Sequence, residues 1–230
     1  MKPAFFNRRG FTLIEIVVAI FIFSVLFITL FGSFQTLSSS TDRLARGSVF
    51  FEMGSRCLTR ISSDIESAYV SMPPMYKQPE LRETADPYRV EGESEDIDGK
   101  TFSRIRFTSL SHYSFDFFQR QGVAQIVYYV DRTEDGRYLL RRSDGLYPFG
   151  EFEKKSSDPV VCTDIQEFSI TYFGEEGEES EEWNSESDLF DFATPRSVQI
   201  DIQIGEEDAQ TVFSTRIFIP VYRERPVSMT

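Results

Sequence analysis

The sequence is poor in the side chains that most often act as acids, bases and metal ligands. Its 230 residues include one histidine, one tryptophan and two cysteines. The single histidine, His112, excludes metal sites built from several histidines and leaves any nucleophile with one imidazole base. His112 lies between Ser111 and Tyr113 in a phenylalanine-rich segment, so we expect a hydrogen-bonded structural histidine.

Catalytic sequence motifs are missing as well. The chain contains no Gly-x-Ser-x-Gly motif, and Gly99-Lys100-Thr101 lacks the upstream glycine that a phosphate-binding loop requires. Carboxylates are so numerous that no particular pair indicates glycoside hydrolysis. The sequence therefore predicts a protein that is not an enzyme and has no cofactor, with a membrane-anchored hydrolase as the remote alternative.

Basic residues are scarce. The chain has 24 Lys and Arg against 37 Asp and Glu, a formal net charge of -13. This balance lacks the basic surface of a nucleic-acid-binding protein, so we expect no nucleic-acid partner. The clustered acids of residues 91–98 and 174–191 are expected to lie in loops. Calcium binding is the alternative, although neither segment has the full spaced calcium-loop pattern.

The two cysteines, Cys57 and Cys162, lie far apart in the sequence. Their spacing does not indicate a metal site. Two interpretations stay open, a disulfide bridge or a pair of small buried thiols.

Long apolar runs are limited to one segment near the amino terminus. Residues Phe11 to Phe34 are almost continuously apolar and suffice to cross a bilayer, which takes about 20 helical residues. No small-residue cleavage site follows the run, so we expect it to be retained. Glu15 is the exception within it, since an acid in a spanning helix costs roughly 2.5 to 3.5 kcal/mol unless it is paired.

The residues around the start of this run resemble the processing site of type IV prepilins and pseudopilins: Arg8-Arg9-Gly10-Phe11-Thr12-Leu13-Ile14-Glu15. The resemblance implies that a prepilin peptidase cuts after Gly10 and methylates Phe11. It also implies that Glu15 pairs with the amino terminus of a neighbouring subunit during assembly.

The charge pattern predicts the orientation. A short leader with Lys2, Arg8 and Arg9 precedes the apolar run, and a long acidic sequence follows it. The positive-inside rule places the amino terminus in the cytoplasm. We therefore expect a single-pass inner-membrane protein whose carboxy-terminal domain is periplasmic.

Beyond the membrane segment the pattern predicts one long helix followed by strands. Leu37, Leu44, Phe51, Leu58 and Ile65 recur every seven residues and predict an apolar stripe that packs on the domain, with a self-associating coiled coil as the alternative. Residues 75–100 are expected to be loop. Short strand-like segments follow, including the alternating residues 197–204 and hairpins near Gly136 and Gly205.

The predicted fold class is α+β, with a long amino-terminal helix packed on a mainly antiparallel β domain, as in pilins. We expect a leader at 1–10, a transmembrane helix at 11–34, a helical stem at 35–70 and a β-rich domain at 71–230.

The downstream segments that follow one another are Arg56 to Ala68, Ile126 to Val130, Leu139 to Arg142, Val161 to Tyr172, Trp183, and Pro195 to Val198. Their order is similar to that of the J-type minor pseudopilins of type II secretion systems. This resemblance implies a subunit of the pseudopilus tip that initiates assembly with the I-type and K-type minor pseudopilins and joins the major pseudopilin. A minor type IV pilin for adhesion, motility or DNA uptake is the alternative. The cysteine pair that often closes a carboxy-terminal loop in such pilins is not evident, because Cys57 lies in the stem.

Overall fold

The structure is a computed structural model that describes residues 12–79, 84–112, 121–206 and 209–225, with the backbone alone described for residues 35–46 and 209. The chain divides into two compact units, Met1–Arg46 and Gly47–Thr230. Helix α1, Leu13–Glu66, contributes residues to both units.

The described residues of the second unit form ten strands and a short 3₁₀ helix, Asp188–Phe190, besides the last part of α1. The strands are β1 Glu91–Ile97, β2 Lys100–Ser109, β3 Ala124–Arg132, β4 Tyr138–Leu146, β5 Val160–Cys162, β6 Ile165–Phe173, β7 Glu179–Ser180, β8 Trp183–Asn184, β9 Ser197–Glu206 and β10 Ala209–Phe218.

These strands form two sheets. The larger has the order β5-β4-β3-β2-β1-β8 and the smaller has the order β10-β9-β6-β7. The neighbouring strands pair antiparallel throughout. With helix α1, these sheets confirm the predicted α+β class.

The alternation of apolar and polar residues decides which face of β9 is buried. Val198, Ile200, Ile202 and Ile204 are fully buried, whereas the polar residues between them are half-buried. This confirms the predicted strand with one apolar face. β3 is apolar on both faces, and seven consecutive residues from Ala124 to Val130 are buried.

The buried face of α1 differs from the predicted stripe. Phe51 was expected in the core but is 61% exposed, and the preceding Phe50 is buried instead. Ile65 and Ile61 are buried as expected. The reason is geometric, because positions seven residues apart drift by about 20° per heptad around a straight helix. Over the two heptads from Ile65 the drift amounts to about 40°, which turns Phe51 away from the side of α1 on which Ile61 lies and leaves Phe50 nearer to that side.

The prediction of loop over residues 75–100 was wrong for its last part. Strand β1, despite its acids, pairs with β2 so that Glu93 lies opposite Arg104 and Glu91 opposite Arg106. Opposite charges across a strand pair stabilise the pairing. The two strands join through Asp98 and Gly99, both with positive φ (54° and 80°), which is the Asp-Gly hairpin turn.

The predicted hairpin at Gly136 is confirmed, since β3 and β4 pair on either side of it and Gly136 has a φ of 83°. β9 and β10 also pair as expected. Residues 207–208, between these two strands, lie outside the described residues.

The acidic segment 174–191 was expected to be a solvated loop but contains β7, β8 and the 3₁₀ helix. Trp183 anchors it, being 2% exposed, donating its indole N–H to the Ala193 carbonyl at 3.0 Å and stacking on Phe190. Glu186 pairs with the buried Arg223 at 2.8 Å. Arg225 pairs with three further acids of the segment, Glu176, Glu178 and Asp191, so cations of the carboxy-terminal segment compensate part of its charge.

Gly54 lies where the helix meets β10. A Cβ atom added at Gly54 would lie 2.1 Å from Cε2 of Phe213. We expect Gly54→Ala to lower the free energy of unfolding by roughly 1–3 kcal/mol, because the ring would have to move out of its packing. The measurement is denaturant unfolding of the full chain in detergent, followed by the fluorescence of Trp183.

Gly47→Ala is the matched control, since nothing lies within 4 Å of a Cβ at that helical position. It should raise the free energy of unfolding by up to about 1 kcal/mol, the difference in helix propensity. Equal stabilities of the two variants would contradict the predicted steric role of Gly54.

Candidate functional site

Thr12 and Glu15 form the amino-terminal cap of α1. The Glu15 carboxylate accepts hydrogen bonds from the Thr12 amide at 3.4 Å and the Thr12 hydroxyl at 3.3 Å. In return, the Glu15 amide donates to the Thr12 hydroxyl at 3.4 Å. This reciprocal arrangement is a capping box, in which a threonine and a glutamate three residues later satisfy amides at the helix start.

The helix that follows this cap presents apolar side chains. Residues Leu13–Phe34 form a helix long and apolar enough to span a membrane, and none of this segment is buried within the protein. Its hydroxyl groups bond to the helix itself, as Ser24 does to the Ile20 carbonyl at 2.8 Å and Ser33 to the Thr29 carbonyl at 2.9 Å. The sequence of this span holds no Lys or Arg, and Glu15 is its one charged residue.

Of the three predicted site residues, the structure describes Glu15. Gly10 and Phe11 lie outside the described residues. Sequence reasoning missed the role of Thr12, although the pattern Thr-x-x-Glu before an apolar run predicts a capping box. The capping hydrogen bonds hold the exposed Glu15 carboxylate at the helix start but supply no positive charge.

A second carboxylate lies at the other end of α1. Asp64 is completely buried. Its Oδ1 accepts a hydrogen bond from the Ser111 hydroxyl at 2.6 Å and forms an ion pair with Arg60 Nη2 at 2.7 Å. Its Oδ2 accepts from the Tyr128 hydroxyl and from Arg142 Nε, each at 2.6 Å. Four donors thus compensate one buried negative charge.

The charges of this cluster are mutually dependent. Burial, and after it the nearby Asp64 carboxylate, raises the pKa of Tyr128 well above its usual value, so its hydroxyl remains a donor. Burial opposes the charge of Arg142, but hydrogen bonds to Asp64 and Asp144 outweigh it and raise the pKa of the guanidinium. The cluster therefore anchors the end of α1 to β3 and β4.

His112 belongs to the edge of the same cluster. Its Nδ1 lies 2.6 Å from Oδ1 of Asp144, whose other oxygen pairs with Arg142. The neighbouring Ser111 donates its hydroxyl hydrogen to Asp64. The Ser111 hydroxyl therefore donates to a carboxylate and not to the histidine. The contact between His112 and Asp144 is of the kind expected for a hydrogen-bonded structural histidine.

A cavity of about 660 Å³ is lined by residues of the larger sheet and of the loops 84–89 and 147–152. Burial, and after it the nearby Arg89, lowers the pKa of Arg106 at its floor to about 10. Among the described residues that line this cavity there is no histidine, cysteine or serine. Among all described residues, no group of three or more His, Cys, Asp and Glu is placed to hold a metal ion.

An apolar, exposed span with one acid at the start of the amino-terminal helix, followed by an antiparallel β domain, defines the class of pilin-like membrane-anchored subunits. The comparisons agree with this class. Residues 5–31 match the family model of the prokaryotic N-terminal methylation motif. No curated protein matches the chain.

Residues 32–215, more than half of the chain, match the family model described as type II secretion system protein J. The chain belongs to this family, the J-type minor pseudopilins of type II protein secretion. Proteins of this family are structural and associate with other components of the pseudopilus. The match favours secretion over the alternative of a minor type IV pilin.

Asp64 provides a test of the buried cluster. We expect Asp64→Ala to lower the free energy of unfolding by about 3–5 kcal/mol, because the buried Arg142 and Tyr128 would both lose the carboxylate to which they donate, although Arg142 would keep its pair with Asp144. The measurement is denaturant unfolding of the full chain in detergent, followed by Trp183 fluorescence.

Glu52→Ala is the control, because it breaks a helix-surface pair with Arg56 whose side chains are 65% and 78% exposed. Its effect should stay within about 0.5 kcal/mol. A loss of the same size in both variants would show that the buried position of Asp64 gives its charge no special weight.

Proposed function

We propose that this minor pseudopilin is a subunit of the pseudopilus tip that starts assembly through its membrane helix. The observation that carries the proposal is the Glu15 carboxylate, which stands exposed on an apolar span that has no cation in its own sequence. A charge in that position gains most from a partner that supplies a positive charge within the membrane.

The proposed source of that charge is a new amino terminus. Cleavage after Gly10 by the prepilin peptidase would leave Phe11 as the first residue, four positions before Glu15. The terminal amine, methylated on Phe11, would meet Glu15 of a neighbouring subunit or of the same chain. The capping box holds the Glu15 carboxylate at the first turn, where a neighbour's amine could reach it.

The proposed arrangement in the cell follows the charge pattern. The leader at 1–10 lies in the cytoplasm, the segment 11–34 crosses the inner membrane, and the stem 35–70 and domain 71–230 are periplasmic. The proposed partners are the I-type and K-type minor pseudopilins and the major pseudopilin. The chain itself is proposed to catalyse no reaction, in keeping with the structural role of His112.

Processing can be tested at Gly10. We expect Gly10→Val to block cleavage, because a bulky residue would not fit where the peptidase accepts glycine. The measurement is the electrophoretic mobility and the intact mass of the chain from cells with a working prepilin peptidase. Gly32→Ala, with no atom within 4 Å of the added Cβ, is the control and should be processed normally.

A Gly10→Val chain that still loses its first ten residues would contradict the assigned cleavage site. A wild-type chain that keeps its initial methionine would contradict processing altogether.

Assembly can be tested at Glu15 with variants that separate charge from capping. Glu15→Gln keeps a side chain that can cap the helix but removes the negative charge, whereas Thr12→Ala removes the capping hydroxyl and keeps the charge. We expect both variants to insert into the membrane. Glu15→Gln should lose co-isolation with the other minor pseudopilins and should lower secretion at least tenfold, while Thr12→Ala should retain most of both.

The reverse pattern, with Glu15→Gln active and Thr12→Ala inactive, would show that Glu15 acts through the helix cap. In that case the proposed pairing with an amino terminus would be wrong.

A further inference from the structure

Cys57 and Cys162 come together in the core of the second unit. Cys57 lies on the buried face of α1, and Cys162 is the last residue of β5 at the edge of the larger sheet. Each is 1% exposed. Both belong to the same cluster of buried apolar residues, although 105 positions separate them in the sequence.

The two thiols are close in space. Both are free, and an interaction with Cys162 is the first cause that raises the pKa of Cys57. A neighbouring contact runs in parallel, since the Thr163 hydroxyl lies 3.4 Å from the sulfur of Met53, one helical turn before Cys57. Cys162 and Thr163, at the end of β5, therefore face Cys57 and Met53, which lie one turn apart on α1.

The edge strand β5 is short and irregularly paired. It consists of three residues and pairs with β4 through Leu140 and Arg141, where the register shifts. Short edge strands with irregular pairing are weakly held by hydrogen bonds alone. A covalent link from Cys162 to the helix would fasten this edge to the stem.

We infer that Cys57 and Cys162 form an intramolecular disulfide that joins the stem helix to the edge of the larger sheet. The inference rests on the proposed function, because the periplasm is the compartment in which such a bond persists. The two thiols lose two electrons and two protons, and the disulfide of a periplasmic thiol–disulfide oxidoreductase accepts them and becomes a dithiol.

The bond forms before the core closes. The interaction with Cys162, together with burial, raises the pKa of Cys57 in the folded chain. A protonated thiol is a poor nucleophile, and neither sulfur is accessible to an oxidoreductase once the core has formed. Exchange therefore takes place on the newly exported, incompletely folded chain, and folding then shields the disulfide from reductants.

The test uses the full chain in membranes from secreting cells. Acid-trapped protein is denatured, blocked with N-ethylmaleimide, reduced and treated with a mass-tagged maleimide. We expect both cysteines to take the tag only after reduction, and peptide mass spectrometry to show a Cys57–Cys162 crosslink. Cys57→Ala and Cys162→Ala are the matched variants, and each should leave the other thiol open to N-ethylmaleimide before reduction.

A second measurement addresses stability. Adding a reductant to the denatured wild-type chain before refolding should lower the melting temperature, followed by Trp183 fluorescence, by about 10 °C. The double alanine variant should melt at the same temperature with and without reductant. Equal melting of the oxidised and reduced wild-type chains would contradict a bond that stabilises the fold.

Protease treatment of spheroplasts separates this inference from the proposed function. Free thiols on a domain that external protease digests would overturn the disulfide and leave the proposed function standing. Free thiols on a domain that protease cannot reach would overturn both the proposed periplasmic location and the disulfide that depends on it.

Discussion

The second unit of this pseudopilin depends on the charge compensation of one buried carboxylate. Asp64 comes from the last turns of α1, and its partners Tyr128 and Arg142 come from β3 and β4. Because an ion removed from water is tolerated only when donors surround it, the helix can occupy one rotation and one height against the sheet. Once the rotation and height of the helix are fixed, the buried residues Ile61 and Ile65 have a single packing position in the core.

The two carboxylates near the ends of α1 show opposite arrangements. Asp64 is completely buried and accepts from four donors of its own chain. These contacts fix the end of the stem helix against the sheet. Glu15 has the hydroxyl and amide of Thr12 and no cation in its span. Because Glu15 is the one charged residue of the span Leu13–Phe34, the pairing proposed for it would take its positive charge from outside this span.

Local patterns predicted the elements whose neighbours in sequence are also neighbours in space. The alternation in β9 and the Asp-Gly turn chemistry at Gly136 need no distant residue to be understood. Two predictions were wrong where the surface facing a segment decides its structure. β1 was read as loop because its acids are unfavourable until Arg104 and Arg106 lie opposite them, and Phe51 was read as core because a seven-residue spacing was extended over a straight helix.

The sequence by itself determined the apolar segment of membrane length, the acid within it and the alternation of β9, because length, hydrophobicity and period act over neighbouring residues. Tertiary structure alone decided the partners of Asp64, the burial of Trp183 and the meeting of Cys57 with Cys162. These depend on contacts between residues tens of positions apart. Their energies follow from burial and distance, which arise only when the sheets close over the helix.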